Sequence, residues 1–381
     1  MINCARARIG LKSLCCLFRN NKSTVFENCL YKNEARACKI FPHGSIKRLK
    51  RDTIEIKQIK TELKEGHKYN YNYQKINIPK CRFKAPRPGF DESLNAYVNV
   101  IKNNKKELKN LCSKYIQNEL NEEQFVNKYA EFLSEKMNMP YYPELKKIIS
   151  DTIGGGYQST TNILYYNPSN MNRLSDLMAT VNHEMHHFLQ QKEIFATMSI
   201  EQFSRLKARA AIIADLPKRP NLYRTQADIE KAIERETKCY IKDFKDAGWD
   251  KVIEKYPKNI NQNSPYYKRA QELIKADLNY VDGTENVSKY MANILEKEAY
   301  EISVHTQLEI EHSIMNVLSK KEKEIALEIY DCLNSPSFAE IKEVSGLIES
   351  FNRNPYNLVE IVKEANAMGL NDPYSIIQRI L

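Results

Sequence analysis

Residues 177–191 read Leu177-Met178-Ala179-Thr180-Val181-Asn182-His183-Glu184-Met185-His186-His187-Phe188-Leu189-Gln190-Gln191. Leu174, Leu177, Met178, Val181, Met185 and Phe188 recur at helical spacing, so the segment is expected to be a helix with one apolar face. Within it, His183-Glu184-Met185-His186-His187 has the form H-E-x-x-H. Positions i and i+4 of a helix share a face, so His183 and His187 can point two imidazoles at one metal ion. Glu184 lies to one side, where it can act on a water at the metal without binding the metal itself. That is the geometry zinc-assisted hydrolysis requires. His186 occupies a variable position and is expected behind the ligands or facing solvent. The competing reading is a surface helix that happens to carry three histidines. The apolar stripe around the motif, and three of the chain's seven histidines falling within five residues, favour the metal site.

Composition sets the background. The chain has 381 residues, room for one large domain or two smaller ones. It is 42% hydrophobic and 28% charged, with only 11 glycines and 14 prolines, which favours a mainly helical protein. No apolar run is long enough to span a bilayer. The net charge of +10 is unevenly spread: residues 1–90 hold 21 basic against 6 acidic side chains, and 91–381 hold 37 against 42. Six of the nine cysteines, Cys4, Cys15, Cys16, Cys29, Cys38 and Cys81, also lie in the first 90 residues. An odd total without C-x-x-C pairs fits a reducing compartment, and a cytoplasmic location is the expectation.

Residues 1–90 show no sustained periodicity and are expected to form a basic leader with little fixed structure, ending at Ala85-Pro86-Arg87-Pro88-Gly89. One helical patch is expected near 54–63. Arg6, Arg8, Lys12, Arg19 and Lys22 precede any acid, which also describes an organellar transit peptide. Lysine and arginine interleaved with Tyr69, Tyr71 and Tyr73 would suit nucleic-acid contact, although a solvated tail is the commoner outcome for such a run.

From 91 to 137 the apolar spacing predicts two helices, with Asp91 as N-cap and a break at Asn121-Glu122. Leu145–Ile149 is a short candidate strand and Gly154-Gly155-Gly156 a turn. Tyr157–Tyr166, rich in aromatic and β-branched residues and closed by Asn167-Pro168, is the best strand in the chain. The motif helix is expected to start near Asn170. Ser199–Ala211 and Gln226–Ala247 are the clearest later helices, and a long one is expected over 286–317.

This order resembles the zincin metallopeptidases over roughly 138–190, plus one later helix. In that family an edge strand precedes the H-E-x-x-H helix and substrate lies along it in extended form. The resemblance implies a mainly α (α+β) fold, with a zincin-like core in which a small sheet packs on the active-site helix. It also implies Zn2+ as cofactor and a peptide or protein substrate. Tyr157, Asn162 and Ile163, on the expected edge strand, become candidate substrate contacts, because a free edge offers unpaired N–H and C=O groups.

Two histidines need a third protein ligand. In the metzincin pattern it would fall at 193, which is Glu193, and the glycine at 190 is replaced by Gln190. On the expected helix 286–317, Val287, Tyr290, Met291, Ile294, Leu295, Ile302 and Leu308 form a stripe that position 298 continues. A glutamate on an apolar stripe is costly without a charge or metal partner. The gluzincin-type resemblance, two histidines from one helix and a glutamate from a later one, implies Glu298 as the ligand, with Glu301 and His305 as alternatives. Tyr290, Tyr300 and His305 are candidate oxyanion donors. The expected organisation is a leader over 1–90, a metallopeptidase domain over 91–317 and a helical segment over 318–381. The alternative is a non-catalytic zincin-like scaffold that binds partners.

Overall fold

The computed structural model describes Lys60 and residues 86–150, 153–171, 173–254, 260–335, 338 and 341–381. Most of the expected leader therefore lies outside the described residues. So does the helical patch near 54–63, apart from Lys60, which is helical and pairs with Glu360 at 2.7 Å.

The described residues are mainly helical with one small sheet. Helices α1 (Phe90–Asn103), α2 (Lys105–Ile116) and α3 (Glu122–Lys136) stand where two helices were expected. Asn104 makes the difference: it closes α1 and caps α2 in a non-helical conformation. Asp91 is not the N-cap. The chain enters α1 through Gly89, whose φ of 85° a side chain would resist, and Asp91 instead accepts from the Arg87 backbone N–H at 2.7 Å.

Strands β1 (Glu144–Lys147), β2 (Gly155–Gln158) and β3 (Ile163–Tyr166) form one sheet in the order β1-β3-β2. β1 runs parallel to β3 and β2 antiparallel to it. The single strand expected over 157–166 is thus a hairpin. Ser159-Thr160-Thr161-Asn162 make its turn, and Asn162 sits at φ 52°. Asparagine tolerates that left-handed conformation better than other non-glycine residues, so the chain reverses there. The Trp249 indole N–H ties the turn down by donating to Ser159 O at 2.7 Å.

A 3-10 turn at Pro168–Asn170 leads into α4 (Leu174–Thr197), the motif helix. Next come α5 (Ile200–Asp215), α6 (Gln226–Asp246), α7 (Trp249–Glu254) and α8 (Pro265–Leu278). Ser199 and Thr225 cap α5 and α6, accepting from Gln202 N and Asp228 N. The helix expected over 286–317 is two, α9 (Val287–Ala292) and α10 (Ile294–Ser313). Asn293 divides them. Its side chain accepts from Leu295 N at 2.9 Å as the cap of α10, and its amide donates to Ala276 O at 3.0 Å.

Helices α4 and α10 pack along each other at the centre, with α1 and α8 against them and the sheet on α4. Tyr97, Ile101, Phe125, Tyr129, Leu164, Met178, Phe188, Trp249 and Ile302 belong to this main core. Helix α10 is buried nearly all round. Its Val304 and Leu308 face a second core, built by α11 (Lys320–Leu333), α12 (Lys342–Arg353), α13 (Tyr356–Ala367) and α14 (Pro373–Ile380). Among the described residues no helix is long and apolar enough to cross a membrane.

Candidate metal centre

The one-turn spacing on α4 brings His183 Nε2 and His187 Nε2 to 3.2 Å, with the rings edge to face. From the first turn of α10, Glu296 presents Oε2 at 3.6 Å from both nitrogens. An ion bound tetrahedrally at about 2.0–2.2 Å spaces its ligand atoms roughly 3.3–3.6 Å apart, so these three atoms fit one divalent cation. The structure brings Glu296, not Glu298, to the histidines.

The hydrogen bonding of Glu296 points the same way. The residue is 3% exposed. Its Oε1 accepts the Tyr280 hydroxyl at 2.8 Å, while Oε2 makes no hydrogen bond. A buried carboxylate oxygen without a donor is costly unless a positive charge faces it. Burial works to raise the Glu296 pKa, yet His187 and His183 outweigh it and hold the carboxyl well below the usual range. Burial likewise pushes His187 down, but the charge of Glu296 prevails and lifts it to about 9. Each of these groups depends on opposite charge nearby.

Glu184 leaves α4 on the side of the sheet. It is 5% exposed, and its pKa is raised by burial, an effect His183 and His187 partly offset. A Cβ at Gly155 would stand 2.9 Å from Glu184 Oε1 and 2.7 Å from Thr180 Cγ2, so only glycine lets β2 approach α4 this closely. Gly155 and Gly156, expected in a turn, are instead residues of β2. Asn167 N donates to Gly154 O at 2.9 Å, so by antiparallel alternation Gly156 and Gln158 also face β3. The backbone groups of Gly155 and Tyr157 point to the open edge.

The expected substrate contacts divide accordingly. Tyr157 lies on the edge strand, but its hydroxyl donates to Asn162 Oδ1 at 3.0 Å, and this bond closes the hairpin. Ile163 belongs to β3, which is flanked by β1 and β2, so its backbone is not at an edge. The edge beside the histidines is β2.

Tyrosines cover the other side. Tyr300 packs edge-on against His183, with ring centroids 4.6 Å apart, and its hydroxyl is 3.5 Å from that of Tyr290. Burial raises the Tyr280, Tyr290 and Tyr300 pKa values, so all three hydroxyls stay protonated. Of the candidate oxyanion donors, Tyr290 and Tyr300 are at the centre. His305 is elsewhere, with Nε2 3.9 Å from Asp331 Oδ1. Glu301, the other alternative ligand, is clamped by both terminal nitrogens of Arg87 at 2.7 and 2.9 Å.

Glu298 faces away from the two Nε2 atoms. It takes Arg269 in a two-pronged pair at 2.5 and 2.9 Å and accepts the Gln190 amide at 3.1 Å. Two positions apart on a helix means nearly opposite faces, and both faces of α10 are buried. A helix without a solvent side carries no stripe to count from, which is why spacing favours 298 over 296. The missed signal is Asn293, whose capping chemistry sets the start of α10 and puts Glu296 in its first turn. His186 is fully buried against Phe90 and Tyr97, 3.9 Å from Glu298 Oε2, and burial lowers its pKa to about 4. It does not face solvent.

The chain matches no protein family, no curated protein and no solved structure.

Proposed function

We propose that the protein is a zinc-dependent metallopeptidase of gluzincin-like ligand set, in which His183, His187 and Glu296 hold Zn2+. The observation that carries this reading is the convergence of two Nε2 atoms and a buried Oε2 that accepts no hydrogen bond, at 3.2, 3.6 and 3.6 Å from one another. Zinc, when bound, supplies a Lewis acid that makes water nucleophilic near neutral pH and polarises a carbonyl.

The chain's own residues do the rest. Glu184, with its proton affinity raised by burial, takes the proton of the attacking water and returns it to the leaving amine as the C–N bond breaks. Tyr300, kept protonated beside His183, donates to the oxygen that gains charge. The open edge of β2 takes an extended peptide as an added strand, through the backbone of Gly155 and Tyr157. The edge strand, the H-E-x-x-H helix and the later glutamate are what support the likeness to zincins.

Burial supports a second reading. His183, Glu184 and Glu296 are each less than a tenth exposed, as in a zinc-holding scaffold that catalyses nothing. Assaying Glu184→Gln against the parent on a mixed peptide library separates the two. The enzyme reading expects zinc retained and hydrolysis reduced about 10²–10⁴-fold. Equal hydrolysis by both proteins contradicts the mechanism, and a zinc-loaded parent that cleaves nothing favours the scaffold.

A further inference from the structure

The polar groups behind His187 form a chain that crosses three helices. His187 Nδ1 lies 2.9 Å from Gln190 Oε1, one turn along α4. Gln190 Nε2 lies 3.1 Å from Leu295 O and 3.1 Å from Glu298 Oε2, both on α10. Glu298 is gripped by the Arg269 guanidinium from α8, and Arg269 Nε also donates to Glu193 on α4 at 2.7 Å. Gln190, Glu298 and Arg269 are each less than a tenth exposed.

We infer that Gln190 and Glu298 are positioning residues that fix the tautomer of His187, a conclusion that rests on the zinc reading above. An amide has one donating and one accepting end. Two acceptors, a peptide carbonyl and a carboxylate, lie on one side of the Gln190 amide, so its NH2 must face them. A flipped amide would set Oε1 against both. Oε1 is therefore the end that meets His187, and it can only accept. The proton of the neutral ring sits on Nδ1 and the lone pair on Nε2, the atom aimed at His183 and Glu296. Arg269 holds the carboxylate that holds the amide, so the ring's orientation is set from three helices at once. Glu298 thus acts one layer behind the ligands rather than among them.

The test uses the full chain with zinc, measuring affinity by competition with a chelator of known strength and the His187 tautomer by nitrogen NMR on 15N-histidine protein. Gln190→Leu removes the acceptor while keeping much of the volume. It is expected to weaken zinc binding about 10–100-fold and to lose the single Nδ1–H form. Glu298→Gln replaces one of the two carboxylate oxygens with an NH2 and so weakens the acceptor that orients the Gln190 amide; it is expected to weaken zinc binding several-fold, less than Gln190→Leu. It also decides the matter if Gln190→Leu does not fold. If the parent binds zinc and both folded variants keep its affinity and its His187 tautomer, the positioning role is overturned while the metal centre stands. A parent that binds no zinc overturns both.

Discussion

Gly155 faces Glu184 with no space for a side chain: a Cβ on the glycine would lie 2.9 Å from the glutamate Oε1. The edge strand and the proposed base therefore pack with no room for a methyl group between them.

Gly155→Ala follows directly. The new Cβ would also meet Thr180 Cγ2 at 2.7 Å and Tyr165 O at 3.1 Å, so β2 must move off α4 or Glu184 must turn. Overpacking of this kind costs about 1–3 kcal/mol. Displacing a catalytic group by an ångström costs on the order of 10²-fold in rate. Urea unfolding and peptide hydrolysis measured on the same sample are expected to show both effects, with zinc content unchanged. Undiminished hydrolysis would separate Glu184 from the strand.

Arg269→Met breaks a buried pair. Arg269 and Glu298 are 7% and 3% exposed in their side chains, and removing the cation leaves Glu298 and Glu193 without their guanidinium partner. Breaking a pair in such surroundings costs about 3–5 kcal/mol. Adding Glu298→Gln to that variant is expected to restore part of the loss, because it removes one stranded charge. A double variant as unstable as the sum of its single variants would mean the two residues are not coupled.

Trp249→Ala tests how the hairpin is held. The indole is fully buried, stacks on Phe188 at 5.3 Å and donates to Ser159 O in the turn. Truncation of a buried tryptophan costs about 3–5 kcal/mol. Trp249 is the chain's single tryptophan, so its fluorescence reports unfolding in the parent, and circular dichroism must follow the variant.

Cys112 is 3% exposed, and burial pushes its thiol up to about 12. The thiolate is the nucleophile, and at pH 8 almost none exists at this site. Peptide mapping after iodoacetamide treatment of folded protein is expected to find Cys112 unmodified and the half-buried Cys239 modified. Unfolding should expose both. Rapid labelling of Cys112 in the folded chain would contradict its packing.

The sequence carried the site as far as local spacing reaches. His183, Glu184 and His187 are one helical turn, and a helix fixes their relation without help from the rest of the fold. Glu296 was out of reach for two physical reasons. Asn293 breaks the run of apolar residues that reads as continuous from Val287 to Leu308, and α10 is buried on nearly all sides. Glu298 was legible as a buried glutamate needing a partner, but its partner is Arg269, a pairing set by tertiary packing alone. The strand expected over 157–166 is at the right place and in the wrong form, because Ser159-Thr160-Thr161-Asn162 combine β-branched residues with turn chemistry, and the turn prevails at Asn162. The mainly helical character, by contrast, followed from composition and periodicity.

The proposed function stands on one zinc ion held by His183, His187 and Glu296. Anomalous diffraction at the zinc edge, from crystals of the full chain grown with zinc, locates that ion without reference to activity. One strong peak is expected about 2.0–2.2 Å from His183 Nε2, His187 Nε2 and Glu296 Oε2, with Glu298 still on Arg269. No peak at that point, or a peak bound by Glu298 with Glu296 turned away, would contradict it.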